Sequence, residues 1–165
     1  MTQLTMNAQL SALEDLRRRP DDVDILTLTR EDIPTLASLY LVAYNSPEIA
    51  ENLIEAVEEM QMSFDGAFGD PMKDGFIGAW RSGKLVGAIL VTTNTPWEDV
   101  DDGPFIIDLM VDPEHRGQGI ATALIGKAAR RAGRQGFDNI GLRVDLRQAK
   151  AAARLYDYLG FAEVD

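Results

Sequence analysis

The chain has no cysteine and a single histidine, His115. The first absence excludes disulfides, thiolate catalysis and cysteine-based metal sites together. A lone histidine in a polar turn argues against a Ser-His-Asp triad and against a multi-histidine metal centre, and His115 itself is expected to be solvated. No apolar run reaches the roughly eighteen residues of a membrane span. The opening MTQLTMNAQL lacks the basic segment and apolar core of a secretory signal. A cytoplasmic location and no membrane partner are the expectation. Basic residues are few: 16 Lys and Arg face 27 Asp and Glu, for a net charge of −11. That disfavours nucleic acid as a partner. It suits a cationic partner, although solubility alone accounts for it. Two Gly- and Asp-rich segments, residues 65–74 and "WEDVDDG" at 97–103, lack the alternating ligands and terminal Glu of a calcium loop. No metal is expected.

What is there suffices for a core: 165 residues, 45% of them apolar. Residues 1–20 read as an appended helix. Ser11 and Glu14 form a capping-box pattern, Leu10, Leu13 and Leu16 share a stripe, and Pro20 follows Arg17, Arg18 and Arg19 as a stop. Residues 21–165 read as one further domain. It opens with a strand near Asp24–Leu28 and a helix from Asp32 with Pro34 in its first turn. A second helix is expected from Ser46-Pro47 to Met62, with Ile49, Leu53, Val57 and Met60 inward.

The period then changes to two. "GFIGAWRSGKLVGAILVTT" predicts a hairpin turning at Ser82-Gly83, and "FIIDLMV" a buried strand over Phe105–Val111. A helix follows to Gly133, with Ile120, Leu124, Ala128 and Ala132 on its apolar face. Lys127, Arg130, Arg131 and Arg134 gather at its C-terminal end, where dipole and solvent explain them. "NIGLRVDL" predicts a strand. "AKAAARLYDYLGF" predicts a helix closed by Gly160, with Phe161 folding back. The pattern is α/β or α+β.

Between the strand and the helix stands "VDPEHRGQGIATALI", which puts a bare Gly-x-Gly at a helix mouth. Unpaired N–H groups and a positive dipole end make that a place for an anion, most often a phosphate. A P-loop needs Gly, four residues and Gly-Lys-Ser/Thr, which occurs nowhere here. A dinucleotide fold needs a third Gly, where Thr122 stands, and more chain than follows.

Arg116-Gly117-Gln118-Gly119-Ile120-Ala121 instead matches Arg/Gln-x-x-Gly-x-Gly/Ala. "ARLYDYLGF", some thirty-five residues on, matches Leu-Tyr-x-x-Leu-Gly-Phe. With "LMVDPEHRGQGIA", these residues resemble the GCN5-related N-acetyltransferases, the GNAT family. The resemblance is close over residues 105–161, is one of pattern over 24–104, and does not cover 1–20. It implies a mixed, mostly antiparallel sheet with a central splayed parallel pair flanked by helices. Only one short strand, "FAEV", can follow the last helix. The strand near residue 142 is then expected to have an uncovered edge, open to a homodimer or to completion by another chain.

The resemblance further implies an acetyl-CoA site. Backbone N–H groups of Gly117, Gln118, Gly119, Ile120, Ala121 and Thr122 would cradle the pyrophosphate, with Arg116 either touching phosphate or pairing in the turn. The backbone of Leu109, Met110 and Val111 would hold the pantetheine arm like an added strand. Gln148 stands near the place of a family Asn. An acceptor amine would attack the thioester directly. A backbone N–H near Met110 would stabilise the oxyanion, and Tyr156 would protonate the leaving thiolate. Family members often carry a glutamate where Ile107 stands; Asp108 beside it could be the base or a structural carboxylate. Arg143 stands on a strand that holds an acid in some relatives. The acceptor would lie among Tyr40, Tyr44, Phe64, Phe68 and the loop "TPWEDVDDG", where Trp97 and the acids suit an amine cation. A solvated acidic loop with one packed Trp explains that composition equally well. The leading expectation is an acetyl-CoA-dependent N-acetyltransferase; the alternatives are a non-catalytic CoA sensor and a structural module.

Overall fold

Residues 70–93 form a hairpin of β3 (Asp70–Arg81) and β4 (Lys84–Thr93), the second and third strands of a seven-stranded sheet. Ser82 and Gly83 join them with φ of 50° and 78°, the primed turn whose twist suits a hairpin. The computed structural model describes residues 3–45, 49–100, 102–145 and 150–164. Along β4, every residue from Leu85 to Thr92 is buried, as expected of a central strand covered on both faces. Outside β3 lies β2 (Val23–Thr27); on the other side of β4 lies β5 (Phe105–Val111), followed by β6 (Asn139–Asp145).

Beyond β6 comes β1 (Gln3–Gln9), and then the two-residue β7 (Ala162–Glu163). All neighbours are antiparallel except β5 and β6. The expected helix over residues 1–20 is therefore replaced by a strand and one 3₁₀ turn, Leu10–Ala12. The reason is tertiary. A lone short helix is marginal, whereas β6 offers seven residues of unpaired backbone, from Gln3↔Asp145 to Gln9↔Asn139. Met6 and Ala8 turn inward with period two, and Leu10 and Leu13 are buried beneath the following turn. The expected bare edge at residue 142 is not found either, because β1 covers it. The ground for a dimer through that edge is removed.

The helices flank the sheet in two pairs. On one face lie α1 (Ile33–Tyr44) and α2 (Leu53–Phe64), over a core that includes Leu36, Met60, Phe76, Leu90 and Met110. On the other lie α3 (Ile120–Arg134) and α4 (Lys150–Leu159), over Ile89, Ile106, Leu124, Leu142 and Phe161. Thr29 and Asp32 close a capping box before α1. Helix α2 starts later than expected: Asn52 accepts the Glu55 N–H at 3.0 Å, and residues 46–48 lie outside the described set. Its inward residues are Ala56, Met60 and Ser63, so Leu53 is exposed.

The arginines of α3 have structural partners. Arg130 Nη1 donates to the carbonyls of Glu14 and Leu16 at 3.1 and 3.0 Å, and Arg131 Nη1 to Thr27 Oγ1 and the Asp74 carbonyl at 2.8 and 2.7 Å. The segment around Leu16 lies so close to α3 that a Cβ on Gly126 would overlap the Leu16 carbonyl. At the end of α4, Gly160 has φ 110°, and the Phe161 N–H returns to the Tyr156 carbonyl at 2.9 Å.

Candidate active site

The site begins where the sheet comes apart. β5 and β6 pair only at Phe105↔Gly141 and Ile106↔Leu142. Past Ile106 the two strands diverge, and a cleft of about 860 Å³ opens between them. A bulge on β5 marks the place: Leu90 faces Asp108 while Val91 faces Ile106, so Ile107 is one residue too many. A bulge re-aims the side chains after it. Ile106 packs on the α3 side and Ile107 on the α1 side. Strict alternation would return Asp108 to the α3 side, but Asp108 also faces α1, where it meets Tyr44.

The register of β4 and β5 decides which backbone groups face the opening. Asp112 N–H donates to the Val86 carbonyl at 2.9 Å. Residue pairs two apart repeat that pattern, so the N–H and C=O of Met110 turn toward Ala88. The groups of Leu109 and Val111 turn toward the cleft. Arg116 Nε occupies the Val111 carbonyl at 3.1 Å, and its Nη2 donates to the Ala43 carbonyl at 2.7 Å. Arg116 thereby ties the glycine turn to the end of α1.

In that turn Gly117 and Gly119 have φ of 77° and 84°, a region that side chains other than Gly rarely adopt. A Cβ on either would meet nothing within 4 Å. Their backbone faces open space at the first turn of α3, whose N–H groups have no helical partner. Leu109, Met110, Val111, Arg116, Gly117, Gly119, Ile120, Ala121 and Thr122 all line the cleft, with Asp108 and Tyr156. Gln118 does not line it, and Gln148 lies outside the described residues.

Two groups in the cleft have their acidity shifted by burial. Burial pushes the Asp108 carboxyl up to about 7, against the Tyr44 hydroxyl, which donates to Oδ1 at 2.8 Å; the charge of Glu59 raises it further. Burial pushes the Tyr156 phenol up to about 12. Its ring packs edge-on to Phe161 at 5.7 Å, and its hydroxyl makes no hydrogen bond among the described residues. Tyr44 is held far above the ordinary phenol range by burial and by Asp108.

Other expectations change. His115 is half-buried rather than fully solvated: Arg81 Nη1 lies 2.8 Å from its Nδ1, and Asp22 holds the same guanidinium. Among the aromatic residues expected around the acceptor, only Tyr44 reaches the cleft. Tyr40 is buried against it at 4.9 Å, and Phe64 packs on Phe76 at 4.8 Å. Trp97 already has a cation, since the Arg143 guanidinium stands 5.6 Å from its ring centre. The Tyr44–Asp108 contact was not foreseen. Composition carries no sign of it, because the bulge that creates it is a feature of register.

Among the described residues no group of His, Cys, Asp or Glu is arranged to hold a metal, and no helix is long and apolar enough to cross a membrane.

Comparison with known proteins agrees with this geometry. Residues 34–161 match the model of the acetyltransferase (GNAT) family. Over 95 residues the chain is 36% identical to an uncharacterised N-acetyltransferase of Methanocaldococcus jannaschii, covering 55% of this chain and 40% of that protein. The chain thus spans well under half the length of that relative. A GCN5-related N-acetyltransferase from Sphaerobacter thermophilus shares the fold, with TM-score 0.74 at 19% identity over 98% of this chain and 48% of that one. So does an aminoglycoside N-acetyltransferase solved with CoA, with TM-score 0.66 at 16% identity over 89% and 92%. A PaiA N-acetyltransferase from Thermoplasma acidophilum, also in complex with coenzyme A, gives TM-score 0.60 at 19% identity over 82% and 87%. From the first helix to the Gly-Phe that closes the last, this chain belongs to the GNAT family of acetyltransferases.

Proposed function

We propose that the chain transfers an acetyl group from acetyl-CoA directly to an amine. One observation carries this reading: the splay of β5 from β6 opens a cleft that contains the glycine turn, Asp108 and Tyr156 together. The backbone N–H groups of Gly117 and of Gly119 to Thr122 hold the pyrophosphate against the positive end of α3. The Leu109 carbonyl and the Val111 N–H hold the pantetheine arm, as an added strand, the Val111 carbonyl being taken by Arg116.

Asp108 then takes the proton of the incoming ammonium. A base with pKa about 7 is half ionised at neutral pH and strong enough to accept a proton there. The backbone N–H of Leu109, next to Asp108 and turned to the cleft, stabilises the oxyanion that forms when the amine attacks. This moves the assignment one residue from Met110, whose N–H is directed at β4. Tyr156, still protonated at neutral pH, donates its proton to the departing sulfur and is restored by the second proton that the nitrogen sheds as the amide forms. Arg116 positions the turn rather than reacting. The experiment is acetyl transfer to a panel of amines, followed by thiol release, with Tyr156→Phe as control. Release above the uncatalysed rate that falls about a hundredfold or more in the variant supports the reading. Binding of acetyl-CoA with no transfer to any amine supports a sensor instead.

A further inference from the structure

We infer that the acceptor is a zwitterion, carrying a carboxylate beside its amine, and that Arg143 binds that carboxylate; this rests on the proposed acetyl transfer. On β6, Leu142 and Val144 pack on the α3 side. Arg143, between them, therefore faces the α1 side, which is also the side of Asp108. Both line the cleft. They stand on adjacent strands just past the last paired residues, Ile106↔Leu142, yet make no ion pair with each other.

The guanidinium is prepared for an anion. Its Cζ stands over the Trp97 ring, 5.6 Å from the ring centre, and Nε donates to Thr5 Oγ1 at 3.3 Å, so the group is held from two sides. Nη2 pairs with Asp99 at 2.7 Å, and Nη1 donates to no described residue. Asp99 belongs to the loop after β4, and its side chain is 68% exposed against 24% for Arg143. An exposed single carboxylate is a weak partner, whereas a fixed guanidinium edge fits a carboxylate in bidentate fashion. Asp99 thus stands where a substrate carboxylate would bind, and gives way to it.

Another part of the same face is acidic. That acidic part is the neighbouring strand, where Asp108 stands and Glu59 is close enough to raise its pKa. An ammonium group fits that part. A diamine of matching length would set its second charge against Arg143, which costs affinity. An amino acid puts each charge against its opposite.

The test is a matched acceptor panel: amino acids, their carboxamides, and diamines of equal length, with kcat and KM measured separately. The wild-type chain is expected to favour the carboxylates at least tenfold in kcat/KM. In Arg143→Gln, KM for the carboxylates rises more than tenfold with kcat little changed, while the carboxamides are unaffected. Asp99→Asn, at an exposed position, lowers KM for the carboxylates because it removes their competitor. If Arg143 only clasps the loop, both variants impair every acceptor alike, and the inference is overturned. Preference for carboxamides or diamines overturns it too, while leaving acetyl transfer standing. No transfer to any acceptor, with acetyl-CoA still bound by calorimetry, overturns the acetyl-transfer reading and this inference with it.

Discussion

Asp108 owes its place to the bulge at Ile107 and its pKa of about 7 to burial. Both consequences can be measured. If Asp108 is the base, kcat/KM rises with pH through about 7 and levels above it. Asp108→Asn removes that limb and lowers kcat/KM by about 10²–10⁴. The same carboxyl also links stability to pH. Its folded pKa lies above its ordinary value of 3.8, so between these values the folded chain holds the proton more tightly than the unfolded chain. Stability therefore falls as pH rises from about 4 to 7. Asp108→Asn escapes this, because an amide has no charge to bury and still accepts the Tyr44 hydrogen bond. It is expected to melt higher than wild type at pH 8, by about 1–2 kcal/mol after allowing for water in the cleft, and nearly level with it at pH 4. A variant less stable at pH 8 would show that Asp108 is held as a welcome charge. In the sequence Tyr156 stands inside the Leu-Tyr-x-x-Leu-Gly-Phe element, and Asp108 stands beside the place of a family glutamate, as base or structural carboxylate. The partner that tunes Asp108, Tyr44, lies 64 residues away, and only the folded register brings them together.

Among the elements, the hairpin, the β5 strand, α3 and α4 were legible because their periodicity is uniform and their punctuation is explicit: Ser82-Gly83, Asp112-Pro113, Gly117-Gln118-Gly119 and Gly160. The N-terminal segment was not. Leu10, Leu13 and Leu16 have helical spacing and outweighed the two-residue alternation of Leu4, Met6 and Ala8 just before them. A strand whose partner lies about 135 residues away leaves no local mark beyond that alternation. The docking of this segment on α3 predicts an inverted sign. In an open helix, Gly→Ala stabilises by about 1 kcal/mol. At Gly126 the new Cβ meets the Leu16 carbonyl, so Gly126→Ala should destabilise by about 1–3 kcal/mol, read as a lower Tm. A higher Tm would mean that residues 13–16 do not lie against the helix. Gly119→Ala separates two costs in the glycine turn. Its positive φ makes the variant less stable by about 1–2 kcal/mol. The larger effect is expected on acetyl-CoA, whose Kd should rise more than tenfold if, as proposed, its pyrophosphate fills the open space that the Cβ would enter.

At the scale of the molecule, a seven-stranded sheet separates two apolar cores, and the only parallel pair among its described strands is the one that opens. The opening lets one ligand reach both faces: the glycine turn and Tyr156 from the α3 and α4 side, Asp108 and Tyr44 from the α1 side. The net charge of −11 is no obstacle to an anionic ligand held by backbone N–H groups and a helix dipole. It does predict that affinity for acetyl-CoA depends on ionic strength less than that of a basic site would. The account rests on acetyl-CoA occupying this cleft. The most direct test is thermal melting of the chain with saturating acetyl-CoA, with CoA and NAD as comparators. At a hundredfold excess over Kd a ligand adds about 2.7 kcal/mol, a rise in Tm of about 5–11 °C for a domain of this size. The account predicts that rise with acetyl-CoA and CoA, none with NAD, and a much smaller one in Gly119→Ala at the same concentration. No rise with acetyl-CoA, or an equal rise in the variant, would contradict it.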